Sequence, residues 1–189
     1  ANATLWLQRG LDDFSRSLGF YRIERALSEM GHILRDTPFV RCNNIFNFLR
    51  ENSFSIPDDI EIFGYSITSP QRELVCCLIL IKETHQDRDN LGSENQSAIT
   101  EGDVDSTGQS FLVVLIPAAA EKNLPINTQL TVISAGQVLA TSTLYLESSF
   151  MYAMVEASGD DTPIEISVLV TDEINHTLPP FTFPARQRR

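Results

Sequence analysis

Apolar residues in the first third of the chain recur at the three- and four-residue spacing of helices with one buried face. Thr4 is a suitable N-cap and Gly19 a suitable stop for the first helix, and Thr37-Pro38 gives the third helix a cap and a first-turn proline. Each helix offers a single apolar face, so the three are predicted to pack as a bundle or to lie as a layer on another element. The faces are Leu7, Leu11, Phe14 and Leu18, then Ile23, Leu27, Met30 and Leu34, then Phe39, Cys42, Phe46 and Leu49.

The period changes after residue 60, where strand patterns replace helical ones. Residues 60–68 alternate, and continuous apolar runs over 74–81 and 111–116 indicate strands buried on both faces. Residues 134–137 predict a hairpin turn between strands over 130–133 and 138–145, and further strands are predicted over 151–155 and 164–170. Residues 69–73 also resemble a helix start, so a buried helix over 74–81 is the alternative to a strand.

Short turns between successive strands favour antiparallel pairing, because parallel pairs need long crossovers. The predicted fold class is therefore α+β, with an N-terminal three-helix layer followed by a mostly antiparallel β-sheet or β-sandwich. At 189 residues, the chain is predicted to be one domain. Its helical subregion covers 4–52, its β-rich subregion covers 60–185, and a long polar loop over 83–109 is expected to join two neighbouring strands at the sheet edge.

The loop over 83–109 carries seven carboxylates against one arginine, which is more than half of the formal net charge of −11. Asp103, Asp105 and Thr107 resemble the start of a calcium-binding loop, but Val114 stands where the bidentate glutamate belongs. Asp87 and Asp89 fit that pattern less well and are instead candidates for contacting a basic protein partner. No cofactor is predicted.

The acidity argues against nucleic acid and anionic membrane surfaces as partners. Apolar runs are far shorter than the roughly 20 residues of a membrane-spanning helix, which predicts a soluble globular protein. The three cysteines show no metal-ligand spacing, and Cys76 and Cys77 would face opposite sides of a strand, so all three are expected to be buried apolar residues. The sequence also lacks the motifs of nucleophilic, metal-dependent or nucleotide-dependent enzymes.

Cysteine and lysine usage favour the cytoplasm slightly, whereas other short motifs suit the secretory pathway. Only two lysines accompany twelve arginines, which fits either avoidance of ubiquitin acceptors or a bias of the lineage. Asn2, Asn95 and Asn175 each begin a glycosylation sequon, and residues 186–189 read R-Q-R-R, which resembles a convertase cleavage site. A glycoprotein segment or propeptide is therefore an alternative.

The segment over 178–184 must be extended because its prolines oppose helix and ladder hydrogen bonds. It is expected either to dock in a partner through Pro179, Pro180, Phe181 and Phe183 or to run over its own domain. The leading hypothesis is a non-catalytic interaction or assembly protein that uses a helical face, a sheet edge or this segment. An enzyme whose carboxylates converge only in the fold is a further alternative.

Overall fold

A computed structural model describes residues 1–23, 37–52, 60–80, 109–157, 161–171 and 175–183. Within them lie three helices and nine strands. The helices are α1 (Ala3–Arg9), α2 (Asp13–Ser17) and α3 (Pro38–Glu51). The strands are β1 (Phe20–Ile23), β2 (Glu61–Thr68), β3 (Glu73–Leu80), β4 (Gln109–Pro117), β5 (Gln129–Ser134), β6 (Gln137–Thr143), β7 (Met151–Ala157), β8 (Ile164–Leu169) and β9 (His176–Thr177).

The strands form two antiparallel sheets, which confirms the prediction of a mostly antiparallel β-rich architecture. One sheet has the order β1-β2-β3-β4-β7 and the other the order β6-β5-β8-β9. The continuous apolar runs are neighbouring strands inside the first sheet, with Leu74 opposite Pro117 and Leu80 opposite Phe111. The run that follows residue 73 is therefore a strand and not a buried helix.

Two hydrophobic cores share the five-stranded sheet. Alternate residues of β3 and β4 face the second sheet, and the residues between them face α3. This double burial explains why the two strands read as continuous apolar runs and not as alternating ones. Cys76 lies in the core between the sheets and Cys77 in the core under α3, as the strand geometry predicted.

Helix α3 agrees closely with the third predicted helix. The Thr37 hydroxyl accepts a hydrogen bond from Val40 N at 3.3 Å, and Pro38 occupies the first turn. Cys42, Phe46 and Leu49 are buried against the sheet. The guanidinium of Arg41 fastens the helix to the end of β4, because it donates to Pro117 O at 2.6 Å and to Ala118 O at 3.1 Å.

The predicted layer of three helices is wrong, although α3 is present. The first predicted helix is broken at Gly10, which has a φ of +75° and separates α1 from α2. Asp12 then starts α2 by accepting from Ser15 N, and Phe14 is 60% exposed and not on a buried face.

Residues 20–23 form β1 and pair with β2, so Ile23, the first residue of the second predicted helical face, lies in a strand. Aromatic and β-branched side chains suit this pairing, and Gly19 ends the helical region with a φ of +99°. The rest of the second predicted helix lies outside the described residues.

Candidate interaction surface

Several candidate residues from the sequence lie outside the described part of the chain. They are the calcium candidates Asp103, Asp105 and Thr107, the acidic partner candidates Asp87 and Asp89, and the sequon residue Asn95. Among the described residues, no group of three or more histidine, cysteine or acidic side chains is placed to hold a metal ion. The proposals made for these positions therefore rest on the sequence alone.

The proline-phenylalanine segment runs over its own domain. Phe181 and Phe183 are buried between the sheets, and Phe111 contacts both rings, at centroid distances of 5.8 and 5.3 Å. The backbone of Phe181 exchanges hydrogen bonds with Ile164, so the segment continues the edge of the second sheet. Pro179 is half-buried and Pro180 is exposed.

The two described sequon asparagines have different surroundings. Asn2 is half-buried, and its side-chain oxygen accepts from Leu5 N at 3.3 Å at the start of α1. Asn175 is exposed beside β9, where its side-chain oxygen accepts from the Ser167 hydroxyl at 2.6 Å. Of the two, Asn175 is the more accessible to a modifying enzyme.

The three cysteines are buried and free. Burial removes the Cys76 thiol from water, and this desolvation is the main reason that its pKa rises to about 12. A hydrogen bond with Cys42, followed by burial, raises the pKa of Cys77 well above its ordinary value. Buried thiols with raised pKa values are poor nucleophiles and poor metal ligands, so Cys76 and Cys77 are placed for packing.

A cleft of about 440 Å³ lies between the turn that precedes β3 and the segment that follows β4. Its charged lining residues are Arg72, Glu73 and Lys122. With one carboxylate and no histidine, the cleft lacks the paired acid and base that a carboxylate-based enzyme needs. Its chemistry gives no positive support to catalysis.

Strand β6 presents a different kind of surface, an accessible sheet edge. It is the last strand of its sheet and pairs with β5 on one side, and within the described residues no strand pairs with its other side. Strand β7 packs near it from the other sheet without joining its ladder. A strand in this position leaves half of its backbone donors and acceptors available to another chain.

Exposed apolar side chains flank this edge at both ends. Val138, near the hairpin turn, is 60% exposed, and the neighbouring Leu139 is also exposed. Tyr145 and Leu146, just after the strand, are 85% and 79% exposed. We call the open side of β6 together with these four side chains the β6 edge. Large apolar side chains exposed near an open strand edge favour an interaction site there.

The β6 edge is held in place by the packing of its inner side. Ala140 and Leu144 pack against the core between the sheets, and the backbone of Leu144 bonds to Asn127 and Thr128. The hairpin turn has φ values of 49° at Ala135 and 75° at Gly136, the positive values that two-residue hairpins require. The edge is therefore a fixed part of the sandwich.

Charge is almost absent around this edge. Between Lys122 and Glu156 the only charged residue is Glu147, although 21% of the chain is charged. Edge strands that resist pairing usually carry lysine, proline or an inward-pointing charge, and β6 has none of these. Its one protective device is a bulge at Leu139, where the register with β5 shifts. This uncharged stretch is the signal that sequence reasoning overlooked.

None of the family models, curated proteins or solved structures compared with the chain matches it. None of the described helices is long and apolar enough to cross a membrane. The function must therefore be inferred from the chain's own geometry.

Proposed function

We propose that this protein is a non-catalytic protein–protein interaction or assembly module whose contact site is the β6 edge. The observation that supports the proposal is that one strand combines a side unpaired within the described residues, an absence of charge and exposed apolar side chains at its two ends. Backbone groups supply affinity when a partner strand adds to such an edge, and the flanking side chains supply specificity. A basic segment of a partner would also find favourable charge in the acidic stretch over 83–109.

The test places one positive charge on the edge and the same charge elsewhere. Thr141→Lys adds a lysine to β6, and Thr68→Lys adds one to an exposed strand position of the other sheet. Proteins cross-linked to the chain in its native source are then compared by mass spectrometry. We expect Thr141→Lys to lose those partners and Thr68→Lys to keep them, and unchanged recovery with Thr141→Lys would refute the proposed site.

A secretory glycoprotein segment is the second candidate, because Asn175 is exposed and is followed by Thr177 on β9. An intact mass of the protein from its native source tests it. Added hexose and N-acetylhexosamine that disappear in Asn175→Gln would support this candidate. A mass equal to that of the unmodified chain would refute it.

A further inference from the structure

We propose that the partner of the β6 edge is a second copy of this chain, so that two β6 strands pair antiparallel across a two-fold axis and join two four-stranded sheets into one. This inference rests on the proposed function, since it names the partner of the same site. Pairing of this kind is isologous, and each copy contributes the same surface to the interface.

The arrangement of apolar side chains along β6 suits two-fold pairing. Val138 and Leu139 lie near the start of the strand, and Tyr145 and Leu146 lie just beyond its end. An antiparallel partner centred at Thr141 brings the end of one strand beside the start of the other, with Tyr145 opposite Gln137 and Leu146 opposite Gly136. Leu139 and Val138 of the second copy are then the diagonal neighbours of Tyr145 and Leu146, within reach of large side chains, so both exposed pairs become partly covered.

Charge does not oppose a second copy at this edge, although the whole chain is acidic. The formal net charge of −11 would make two copies repel, but β6 itself carries no charge. The nearest carboxylate along the chain, Glu147, would face the hairpin tip of the second copy around Ala135 and Gly136, which is uncharged. Two copies can thus meet at this edge without placing like charges opposite each other.

The other edge of the same sheet is partly occupied from within the chain. Strand β9 and Phe181 pair with β8, and Thr182 pairs in turn with the first residues of the chain. Because two-fold pairing uses the same edge of both copies, the β6 edge is fully occupied in a closed dimer.

The first experiment measures oligomeric state by sedimentation equilibrium over a range of protein concentrations. We expect the mass of the wild-type chain to rise with concentration from 21.1 kDa towards twice that value. Thr141→Lys places two lysines close together at the two-fold axis and should weaken dimerisation roughly tenfold or more. Thr68→Lys should dimerise like the wild type.

The second experiment tests the geometry by cross-linking. Thr141→Cys puts an accessible thiol close to its own symmetry mate, whereas Thr68→Cys puts one on the other sheet. With oxidised glutathione as the oxidant, two introduced thiols lose their hydrogens to form one disulfide, and glutathione is released in reduced form. We expect a covalent dimer for Thr141→Cys and little for Thr68→Cys, since cross-strand neighbours approach disulfide distance.

The outcomes distinguish the dimer from the interaction site at the β6 edge on which it rests. A wild-type chain that stays monomeric, while Thr141→Lys still loses native partners, overturns the dimer and leaves the β6 edge as a site for a different protein. A monomeric chain whose partners are indifferent to Thr141→Lys overturns both. A dimer that Thr141→Lys leaves intact shows that the two copies meet elsewhere.

Discussion

Phe181 contributes to the core from the part of the chain that the sequence offered as a partner ligand. Its ring is fully buried and contacts Trp6, Phe111 and Phe183. We expect Phe181→Ala to lower the free energy of unfolding by about 3–5 kcal/mol, because a large cavity would remain between the sheets. Pro180→Ala, at the exposed neighbouring position, should cost at most about 1 kcal/mol.

Urea denaturation of both variants measures the difference. Equal and small changes would show that the segment does not belong to the core. The same burial affects any deletion of residues 178–189, because the deletion also removes Leu178 and Phe183 from the core. Loss of partners after such a deletion would therefore report unfolding and not loss of a docking motif.

The buried thiols give a prediction on reactivity. In the native protein at pH 8, all three cysteines should resist a thiol reagent, and three equivalents should react after unfolding. Burial raises the pKa of Cys76 to about 12 in the folded state, against an ordinary 9.0. Above pH 9 the unfolded chain loses this proton first, so the contribution of Cys76 to the free energy of unfolding is complete below pH 9 and is lost as the pH rises to 12. Ser149→Cys, at an exposed position, is the control for rapid labelling. Labelling of a native cysteine at that rate would contradict the burial.

At the scale of the element, α3 depends on its N-terminal cap. Thr37→Ala removes the acceptor for Val40 N and should cost about 1 kcal/mol of stability, whereas Thr37→Ser keeps the acceptor and should cost much less. Chemical denaturation of the two variants gives the comparison. An alanine variant as stable as the serine variant would mean that the cap contributes nothing.

Sequence patterns predicted α3 and strands β2 to β8, because each combines a clear period with a recognisable start or stop. They failed at the N-terminus for a definite physical reason. The spacing from Leu7 to Leu18 continues through Gly10, and spacing alone does not reveal that the backbone there takes a positive φ. The buried Trp6, whose ring N–H donates to the Ser15 hydroxyl at 2.9 Å, was absent from the predicted face for the same reason.

The candidate site was harder to predict than the strands that form it. The pattern over 130–145 predicts a hairpin but gives no sheet order, so it does not reveal that β6 is an edge strand. The segment containing Phe181 and Phe183 reads equally well as a ligand or as part of the core. Only the position of β8 and the N-terminal residues decides between the two.

At the scale of the whole molecule, the shared five-stranded sheet couples the two cores. Trp6, the only tryptophan, lies between the sheets, whereas Phe46 of α3 lies in the core on the other face of the five-stranded sheet. We expect Phe46→Ala to lower the midpoint of the Trp6 fluorescence transition in urea, because β3 and β4 belong to both cores. Circular dichroism should give the same midpoint. A Trp6 transition that stays unchanged, beside a separate earlier transition in circular dichroism, would show that the cores unfold independently.

The pairing of the first residues with Thr182 bears on how the protein is made. Ala3 N donates to Thr182 O at 2.9 Å and Thr182 N donates to Ala1 O at 2.8 Å, so a contact with Thr182 closes a span of 181 positions. Ribosomes release a chain from its N-terminus onward, and Phe181 and Phe183 are among the last core residues to emerge. Trp6 and the inner faces of both sheets therefore lack part of their native packing until nearly the whole segment has been synthesised. We infer that native structure in this segment forms late, and that chaperones binding apolar surface will associate with the nascent chain until Phe181 and Phe183 have emerged.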